Sequence, residues 1–380
     1  MNELNIIPNG AVLIRNNTIE EIGPTRRVEN LAAAKGAAEI DATRKIVMPA
    51  FIDADFPLVI PAWVPQECAA AQTDGTALRK MARERMHAGA AAMAAQCARF
   101  GCLTVGAHTG YAADLKNVRR ILHTHQKLNL KPLRIRSIFS PHLPSIDAEP
   151  AREILETLIS KWLPAVHKGK LASVVEFAVD GEEEGEELGL IREAARAAVA
   201  MGFAIRLRST RCPQPAFLRL ALSVGAMAIV SPMDRLRAFA GSLALQGCVR
   251  IIPVSESFDH ARDVAPDIRM SIEEGAAIAI ASSYRTHGPA SFNMQFLLHL
   301  AVRRFGLTPA EAITAATYNP ACALRLSQVT GSLEIRKQAD LILMDVPDFH
   351  ELPRRAGHHD VHLVMREGHV VYRASALNPD

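Results

Sequence analysis

Short apolar runs rich in valine, isoleucine and leucine recur along the middle of the chain, separated by segments with the apolar spacing of amphipathic helices. Runs that are apolar throughout indicate strands buried on both faces, as in a parallel sheet covered by helices. Eight such units predict an α/β fold of the (β/α)8 TIM-barrel type, although the pattern alone also allows seven or nine. The runs occupy residues 47–56, 103–107, 134–139, 173–179, 203–207, 227–230, 250–254 and 277–281.

The two ends of the chain carry a different strand pattern. From Gly10 to Gly23 apolar and polar residues alternate around two asparagines, which tolerate the positive φ of a hairpin turn. Similar alternation returns at 339–346 and 361–372. We therefore expect both termini to build one small β-sandwich-like domain beside the barrel. The predicted division is residues 1–48 plus 335–380 for the small domain and 49–334 for the barrel.

Helix signals between the strands agree with this architecture. Thr308 is followed by a proline and, three positions on, by Glu311, which together predict a capped helix over 308–317. An alanine-rich stretch over 88–101 ends at a glycine, which predicts a helix packed closely on the next strand.

Composition narrows the range of partners. The net charge is +3, hydrophobic residues make up 49% of the chain and no run of 18 apolar residues occurs, which argues against nucleic-acid and membrane partners and for a small-molecule ligand. Six cysteines lack C-x-x-C spacing, which favours reduced thiols. With no signal-peptide pattern at the amino terminus, these features predict a cytoplasmic protein.

Several motifs resemble the amidohydrolase superfamily, and within it the imidazolonepropionases, over nearly the whole length. The most specific is "DVPDFHELP" at 345–353, and "AEIDATRKIVMPAFID", "TVGAHTGYAADL" and "SIFSPHLP" match earlier segments. The resemblance implies a barrel with its site at the carboxyl ends of the strands, hydrolysis of cyclic amide C–N bonds, a zinc or iron cofactor and a homodimer.

The metal-ligand positions of that family are replaced in this chain. The family holds its metal with two histidines after the first barrel strand, a histidine after the fifth and an aspartate after the eighth, with a further histidine after the sixth. Only one replacement is a strong metal ligand, and Arg208 would repel a cation. We therefore expect no metal cofactor, with Arg208 paired to Asp55 instead. The matching positions are Asp55, Pro57, Arg208, Ser283 and Ser231.

Other polar residues fall where the family binds substrate. The resemblance places Tyr111 and His142 there, together with Arg208, which could bind a carboxylate-bearing ligand on the same strand face as Arg206. Asp180 lies near a family acidic position, and a helix cap is an equally good interpretation. The catalytic residue stays unknown, with four candidates. They are Asp55, His142, Asp180 and Arg208.

The remaining histidines look structural. His123 and His125 lie about 200° apart on a helix, cannot chelate one ion, and are expected to be solvated. The histidines at 358–362 have strand spacing but fall in the small domain, where we expect a surface role. His108 is either a packed, hydrogen-bonded residue or a pocket residue.

Three functions are consistent with these observations. The favoured hypothesis is an amidohydrolase-fold protein that binds a small polar ligand and has lost metal-dependent hydrolysis. The second is a metal-free hydrolase or isomerase, with Asp55, His142 or Asp180 as general base and Arg208 stabilising an oxyanion. The third is a non-catalytic partner subunit.

Overall fold

The order of strands and helices follows the predicted alternation. The computed structural model describes residues 3–60, 76–110, 112, 114–130, 132–141, 150–179, 186–209, 215–231, 247–254, 265–284 and 291–374. The strands are β1 Gly10–Arg15, β2 Thr18–Pro24, β3 Ile46–Pro49, β4 Phe51–Phe56, β5 Cys102–His108, β6 Arg134–Phe139, β7 Val174–Val179, β8 Ala204–Ser209, β9 Ala228–Val230, β10 Val249–Pro253, β11 Ala277–Ala281, β12 Leu341–Met344, β13 Val361–Arg366 and β14 His369–Arg373. The α-helices are α1 Thr25–Val28, α2 Thr76–Lys80, α3 Arg83–Arg99, α4 Leu115–Leu128, α5 Pro150–Thr157, α6 Leu163–Lys168, α7 Glu186–Ala200, α8 Pro215–Ser223, α9 Ala265–Glu273, α10 Met294–Phe305, α11 Pro309–Ala316 and α12 Tyr318–Ala323. A π-helical turn, Leu158–Trp162, joins α5 to α6, and 3-10 turns cover Ala32–Ala34 and Phe349–Arg354.

Strands β4 to β11 form one parallel sheet in which each strand pairs with its neighbours in the chain. The two end strands meet where the Ser283 amide donates to the Asp55 carbonyl at 3.0 Å. The sheet is therefore a nearly closed barrel with helices between its strands. This confirms the predicted (β/α)8 fold.

The first predicted run, 47–56, contributes to two sheets and not to one. Strand β3 pairs antiparallel with β12 in a four-stranded sheet, whereas β4 opens the barrel. Between them the Ala50 amide donates to the Asp340 carbonyl at 3.1 Å, so the chain changes sheet at one residue. The apolar pattern could not show this break, because apolar residues continue from β3 through Ala50 into β4.

Strands from both ends of the chain lie together, as predicted. The order β3, β12, β13, β14 joins an early strand to three late ones, and the hairpin of β1 and β2 contacts the late segment through a bridge between Thr18 and Gln338. Asn16, in the predicted hairpin turn, has φ 55°. The exact domain boundaries stay a prediction.

Helix α12 closes the amino-terminal end of the barrel. Ala321 and Leu324 pack in one apolar cluster with Val174, Ala204 and Val249, which are the first residues of β7, β8 and β10. The opposite end, where the strands finish, carries the polar side chains described below.

The helix signals in the sequence are present in the structure. Thr308 and Glu311 form a capping box at the start of α11, with the Glu311 amide donating to Thr308 Oγ1 at 3.3 Å. The alanine-rich helix α3 begins five residues earlier than predicted, at Arg83, and is followed by Gly101 at φ 81°. Within the described ranges, no helix combines the length and the apolar character needed to cross a bilayer.

The expectation that His125 is solvated is wrong. His125 is fully buried on α4, on the same face as Val118, Ile121 and Leu128, whereas His123 is exposed. Among the described residues, neither ring nitrogen of His125 has a hydrogen-bond partner, and burial lowers the pKa of this histidine to about 3. The apolar spacing of the helix placed it inward, although its side chain is polar.

A His125→Leu variant is expected to lose part of the acid sensitivity of the fold. In the unfolded chain His125 has a pKa near 6.5, whereas in the folded protein its pKa is about 3. Between these pH values the unfolded state binds a proton that the folded state does not. Stability should therefore fall as the pH drops below 6.5 in the wild type, because the unfolded state binds more protons. We compare the free energy of unfolding of the variant with that of the wild type at each pH. This difference should favour the variant by up to about 3 kcal/mol more at pH 4.5 than at pH 7.5, since one pKa unit corresponds to about 1.4 kcal/mol.

Urea unfolding at the two pH values measures this difference. His123→Leu, on the exposed face of the same helix, is the matched control and should show no comparable pH-dependent gain. Equal behaviour of the two variants would contradict the assignment.

Candidate functional site

A bulge in β4 turns Asp55 toward the interior of the barrel. Asp53 pairs with Val105 and Phe56 with Ala107, so β4 has one residue more than β5 over this span. Phe56 packs in an aromatic group with Tyr284, its ring centroid 6.1 Å away. Asp55 is left as a buried carboxylate, 1% exposed, near the carboxyl end of its strand.

Two arginines of β8 converge on this carboxylate. Arg206 and Arg208 alternate onto the same strand face, as predicted. Arg206 Nη2 donates to Asp55 Oδ1 at 2.9 Å, and Arg208 Nη2 donates to the same oxygen. Arg206 Nη1 also donates to the Ala54 carbonyl at 2.7 Å. The ion pair expected between Arg208 and Asp55 is therefore present, and Arg206 forms a second ion pair with the same carboxylate.

Glu176 completes the network, and the sequence analysis missed it. It pairs in register with Arg206 across β7 and β8. Glu176 Oε2 lies 2.5 Å from Arg206 Nε, and its Oε1 accepts from Arg208 Nε at 3.2 Å and from Ser140 Oγ at 3.1 Å. A glutamate inside an apolar strand needs a partner. That rule, applied to "VVEFAV" beside "AIRLRS", was the signal available in the sequence.

The network contains two basic side chains, Arg206 and Arg208, and two acidic ones, Asp55 and Glu176. Burial opposes ionisation of Asp55, but the charges of Arg208 and Arg206 outweigh it and hold the pKa of Asp55 well below its usual range. Burial also opposes ionisation of Glu176, yet the same arginines lower its pKa to about 2. Partial burial opposes the charge of Arg208 as well, but Asp55 and Glu176 raise the pKa of Arg208 above its ordinary value. All three groups are therefore charged near neutral pH, and the network holds together as paired ions.

The donor set at this site does not fit the zinc or iron of the relatives. Such ions need several imidazole or carboxylate donors converging at about 2.0–2.2 Å. Asp55 is already engaged by two guanidinium groups, and Ser283 Oγ donates to its other oxygen. Pro57 is buried and offers no side-chain donor. Among the described residues, no group of three histidine, cysteine or acidic side chains could hold a metal ion.

Ser231 lies apart from the network. Val230 packs in the interior cluster, and Ser231 follows it on the other face of the chain. Its Oγ accepts a hydrogen bond from Arg250 Nη2 at 2.9 Å. Of the five positions matched to family ligands, the structure brings Asp55, Arg208 and Ser283 into contact.

A second buried carboxyl group, also missed from sequence, fastens the two end strands together. Asp53 Oδ1 accepts from the amides of Ser282 and Asp55, both at 3.2 Å, and Ser282 Oγ donates to Asp53 Oδ2. Burial, assisted by the nearby Asp55 charge, raises the pKa of Asp53 to about 7. The role of this group is to join β4 to the end of β11.

His108 lies at the edge of the network with a small exposed fraction. Its Nδ1 accepts from the Gly110 amide at 3.3 Å, and its Nε2 is 4.0 Å from Asp55 Oδ1. Burial, together with the Arg208 charge, lowers the pKa of His108 to about 4 against the opposing effect of Asp55. A neutral ring that accepts at Nδ1 carries its proton on Nε2. With 15% of its side chain exposed, His108 is both hydrogen-bonded and accessible.

Three candidates from the sequence analysis lie outside the described residues. They are Tyr111, His142 and Asp180. Their proposed substrate-binding or catalytic roles stay predictions. The histidines at 358–362 do lie within the described chain, where His358 and His359 are exposed, in keeping with a surface role.

The sequence is similar to the amidohydrolase family model and to imidazolonepropionases. The sequence model of the amidohydrolase family matches residues 234–371. An imidazolonepropionase from Brevibacillus brevis is 28% identical over 405 residues, covering 99% of this chain and 93% of the relative. One from Solibacter usitatus is 28% identical over 397 residues, covering 99% and 94%.

Solved structures show the same fold at lower sequence identity. A 5-methylcytosine deaminase from Klebsiella pneumoniae has a TM-score of 0.70 and 16% identity, covering 96% of this chain and 95% of the other. An N-isopropylammelide isopropylaminohydrolase from Burkholderia multivorans has a TM-score of 0.71 and 16% identity, covering 95% and 94%. At such identities the likeness supports the fold alone.

Proposed function

We propose that the chain is an imidazolonepropionase-like member of the amidohydrolase superfamily and that it binds a small polar ligand at the barrel mouth without metal-dependent hydrolysis. The observation that carries this proposal is the placement of Arg206 and Arg208 on Asp55. A metal ion there would compete with two fixed positive charges for one carboxylate. Breaking a buried ion pair costs several kcal/mol, so a metal ion would not readily displace either guanidinium group from Asp55.

Among the described residues, two nitrogen atoms at the mouth, Arg208 Nη1 and His108 Nε2, have N–H groups available to a ligand. Arg208 donates from Nε to Glu176 and from Nη2 to Asp55. In the described structure its Nη1 has no hydrogen-bond partner, and 22% of the side chain is exposed. His108 offers Nε2–H from a neutral ring. Both are donors, so the ligand is expected to present carbonyl or carboxylate oxygens.

The charge balance of the network favours a neutral ligand over an anion. Arg206 and Arg208 are already matched by Asp55 and Glu176, so the site adds hydrogen bonds without a net positive field. A carboxylate-bearing ligand is the narrower form of the proposal. It would accept from Arg208 Nη1 alone, because Nε and Nη2 are engaged by Glu176 and Asp55.

Hydrolysis by Asp55 as general base is disfavoured by the same geometry. A carboxylate held by two guanidinium groups is a weak base, because protonation would break both ion pairs. A metal-bound water is the usual source of a strong nucleophile at neutral pH, and the donor set does not provide for one. Within the described residues, no observation favours the partner-subunit hypothesis.

Metal analysis followed by a ligand screen tests the proposal. After dialysis against a weak chelator, the purified protein should retain zinc and iron far below one equivalent. A calorimetric screen of imidazolones, hydantoins and small carboxylates should then find saturable binding without turnover. Arg208→Gln should weaken the binding at least about tenfold, the effect of losing roughly 1.4 kcal/mol.

Arg119→Gln is the matched control, because it removes an exposed arginine of helix α4. It should leave the affinity unchanged. One equivalent of tightly bound metal with hydrolysis of a cyclic amide would overturn the proposal, as would the absence of binding by every class of compound in the screen.

A further inference from the structure

The amino-terminal end of the barrel carries a second group of positive charges, which the mouth site does not use. Arg134 opens β6, and Arg136 follows two positions later on the same strand face. Arg325 comes directly after Leu324, a residue that packs inside this end of the barrel behind α12. We call Arg134, Arg136 and Arg325 the basal arginine cluster.

Arg136 makes few hydrogen bonds for a half-buried guanidinium group. Its Nη1 donates to Ser173 Oγ at 3.1 Å and its Nη2 to the Arg325 carbonyl at 3.4 Å. Its Nε is buried and has no hydrogen-bond partner in the part of the chain that the structure describes. Across the ranges that the structure describes, no carboxylate lies within ion-pair distance of Arg136.

No carboxylate beside the two other arginines is left to pair with Arg136 in the described chain. Arg134 is paired with Asp340 and, at 3.0 Å, with Glu367, so both of those carboxylates are already engaged. Arg325 is exposed, has φ 53°, and in the described chain pairs with no carboxylate. Burial lowers the pKa of Arg136, and the charges of Arg134 and Arg325 lower it further.

This end of the barrel therefore differs from the mouth, where two arginines meet two carboxylates. A half-buried cation beside like charges is costly unless an anion compensates it. The guanidinium fork matches the oxygen spacing of phosphate and carboxylate groups. The local excess of positive charge at Arg136 and Arg325 therefore favours an anionic partner of this kind.

We propose that the basal arginine cluster binds a small oxyanion, of phosphate or carboxylate type, between Arg136 and Arg325. The anion would accept from the second N–H groups of Arg136 Nη1 and Nη2, each of which donates one hydrogen bond in the protein, and would bridge β6 to the segment after α12. It would thereby stabilise the closed end of the barrel, as any ligand that binds only the folded state does. This site is separate from the mouth, and its ligand is independent of the function proposed there.

Isothermal titration of the full-length protein with inorganic phosphate, and separately with acetate, tests the proposal. Sodium chloride should hold the ionic strength constant, because salt screens exposed charges. We expect one saturable site for at least one of the two anions. The tighter-binding anion identifies the source of the oxygens.

Arg136→Gln and Arg325→Gln should each weaken that binding at least about tenfold, the loss expected for one charge-assisted contact. Arg119→Gln, which removes an exposed charge elsewhere, should bind like the wild type. Arg325 is exposed, so its variant is expected to fold even if the Arg136 variant does not.

Three results would overturn the proposal. One is the absence of saturable binding by both anions. Another is wild-type affinity in the Arg136 and Arg325 variants. The third is an affinity that falls with Arg208→Gln but not with Arg325→Gln, which would place the anion at the mouth.

Discussion

An Arg206→Met variant is expected to unfold with a free energy about 3–5 kcal/mol below that of the wild type, the usual cost of removing one partner from a buried ion pair. Arg206 is fully buried between Asp55 and Glu176. Methionine keeps much of the side-chain length but none of the charge, so two buried carboxylates would share the single cation of Arg208. Denaturant unfolding at neutral pH measures the loss.

Two further variants separate charge from packing. Arg206→Met combined with Glu176→Leu removes one charge of each sign and should recover most of the lost stability, because the remaining pair is balanced. Arg27→Met breaks an exposed pair with Glu21, in which half of the arginine side chain is exposed, and should cost about 1 kcal/mol or less. A loss no larger for Arg206→Met than for Arg27→Met would show that the network is unimportant for stability.

Restoring the family ligands should create a metal site in this barrel. A variant with Asp55→His, Pro57→His, Arg208→His and Ser283→Asp is expected to retain close to one equivalent of zinc after dialysis. Three or four converging nitrogen and oxygen donors bind zinc tightly. The change removes the charges of Asp55 and Arg208 and adds one carboxylate at position 283, whose charge the zinc ion would offset. The remaining Arg206 and Glu176 still pair at 2.5 Å, so the surrounding strands keep their balance.

The control for this design keeps the cation in place. Pro57→His with Ser283→Asp adds two donors beside Asp55 but leaves Arg208, and should retain little zinc because a fixed positive charge occupies the centre. Zinc content by mass spectrometry of dialysed samples distinguishes the two variants. Equal retention by both would show that Arg208 is not what prevents metal binding.

Much of the architecture could be predicted from local patterns. Apolar runs such as 277–281, alternation in the hairpin around Asn16, and the capping box at Thr308 each depend on residues close together in the chain. The motif resemblance added the positions of the replaced ligands. The pairing of Arg208 with Asp55 could be anticipated, because a buried charge of either sign needs its opposite.

Other features depended on register, which the sequence does not reveal. Glu176 faces Arg206 only because β7 and β8 pair in one particular alignment. Asp55 points inward only because β4 carries a bulge against β5. A shift of one residue would reverse the faces of every side chain in a strand.

The sequence by itself determined the barrel, the small sheets built from both ends, and which side chains stand at the positions that the resemblance matches to metal ligands. Tertiary structure alone decided the break at Ala50, the burial of His125 and the meeting of four charged groups at the mouth. The physical reason is the range of the interactions. Periodicity and caps act over a few residues, whereas strand pairing and ion pairs join groups about 150 positions apart in the chain, as Asp55 and Arg208 are.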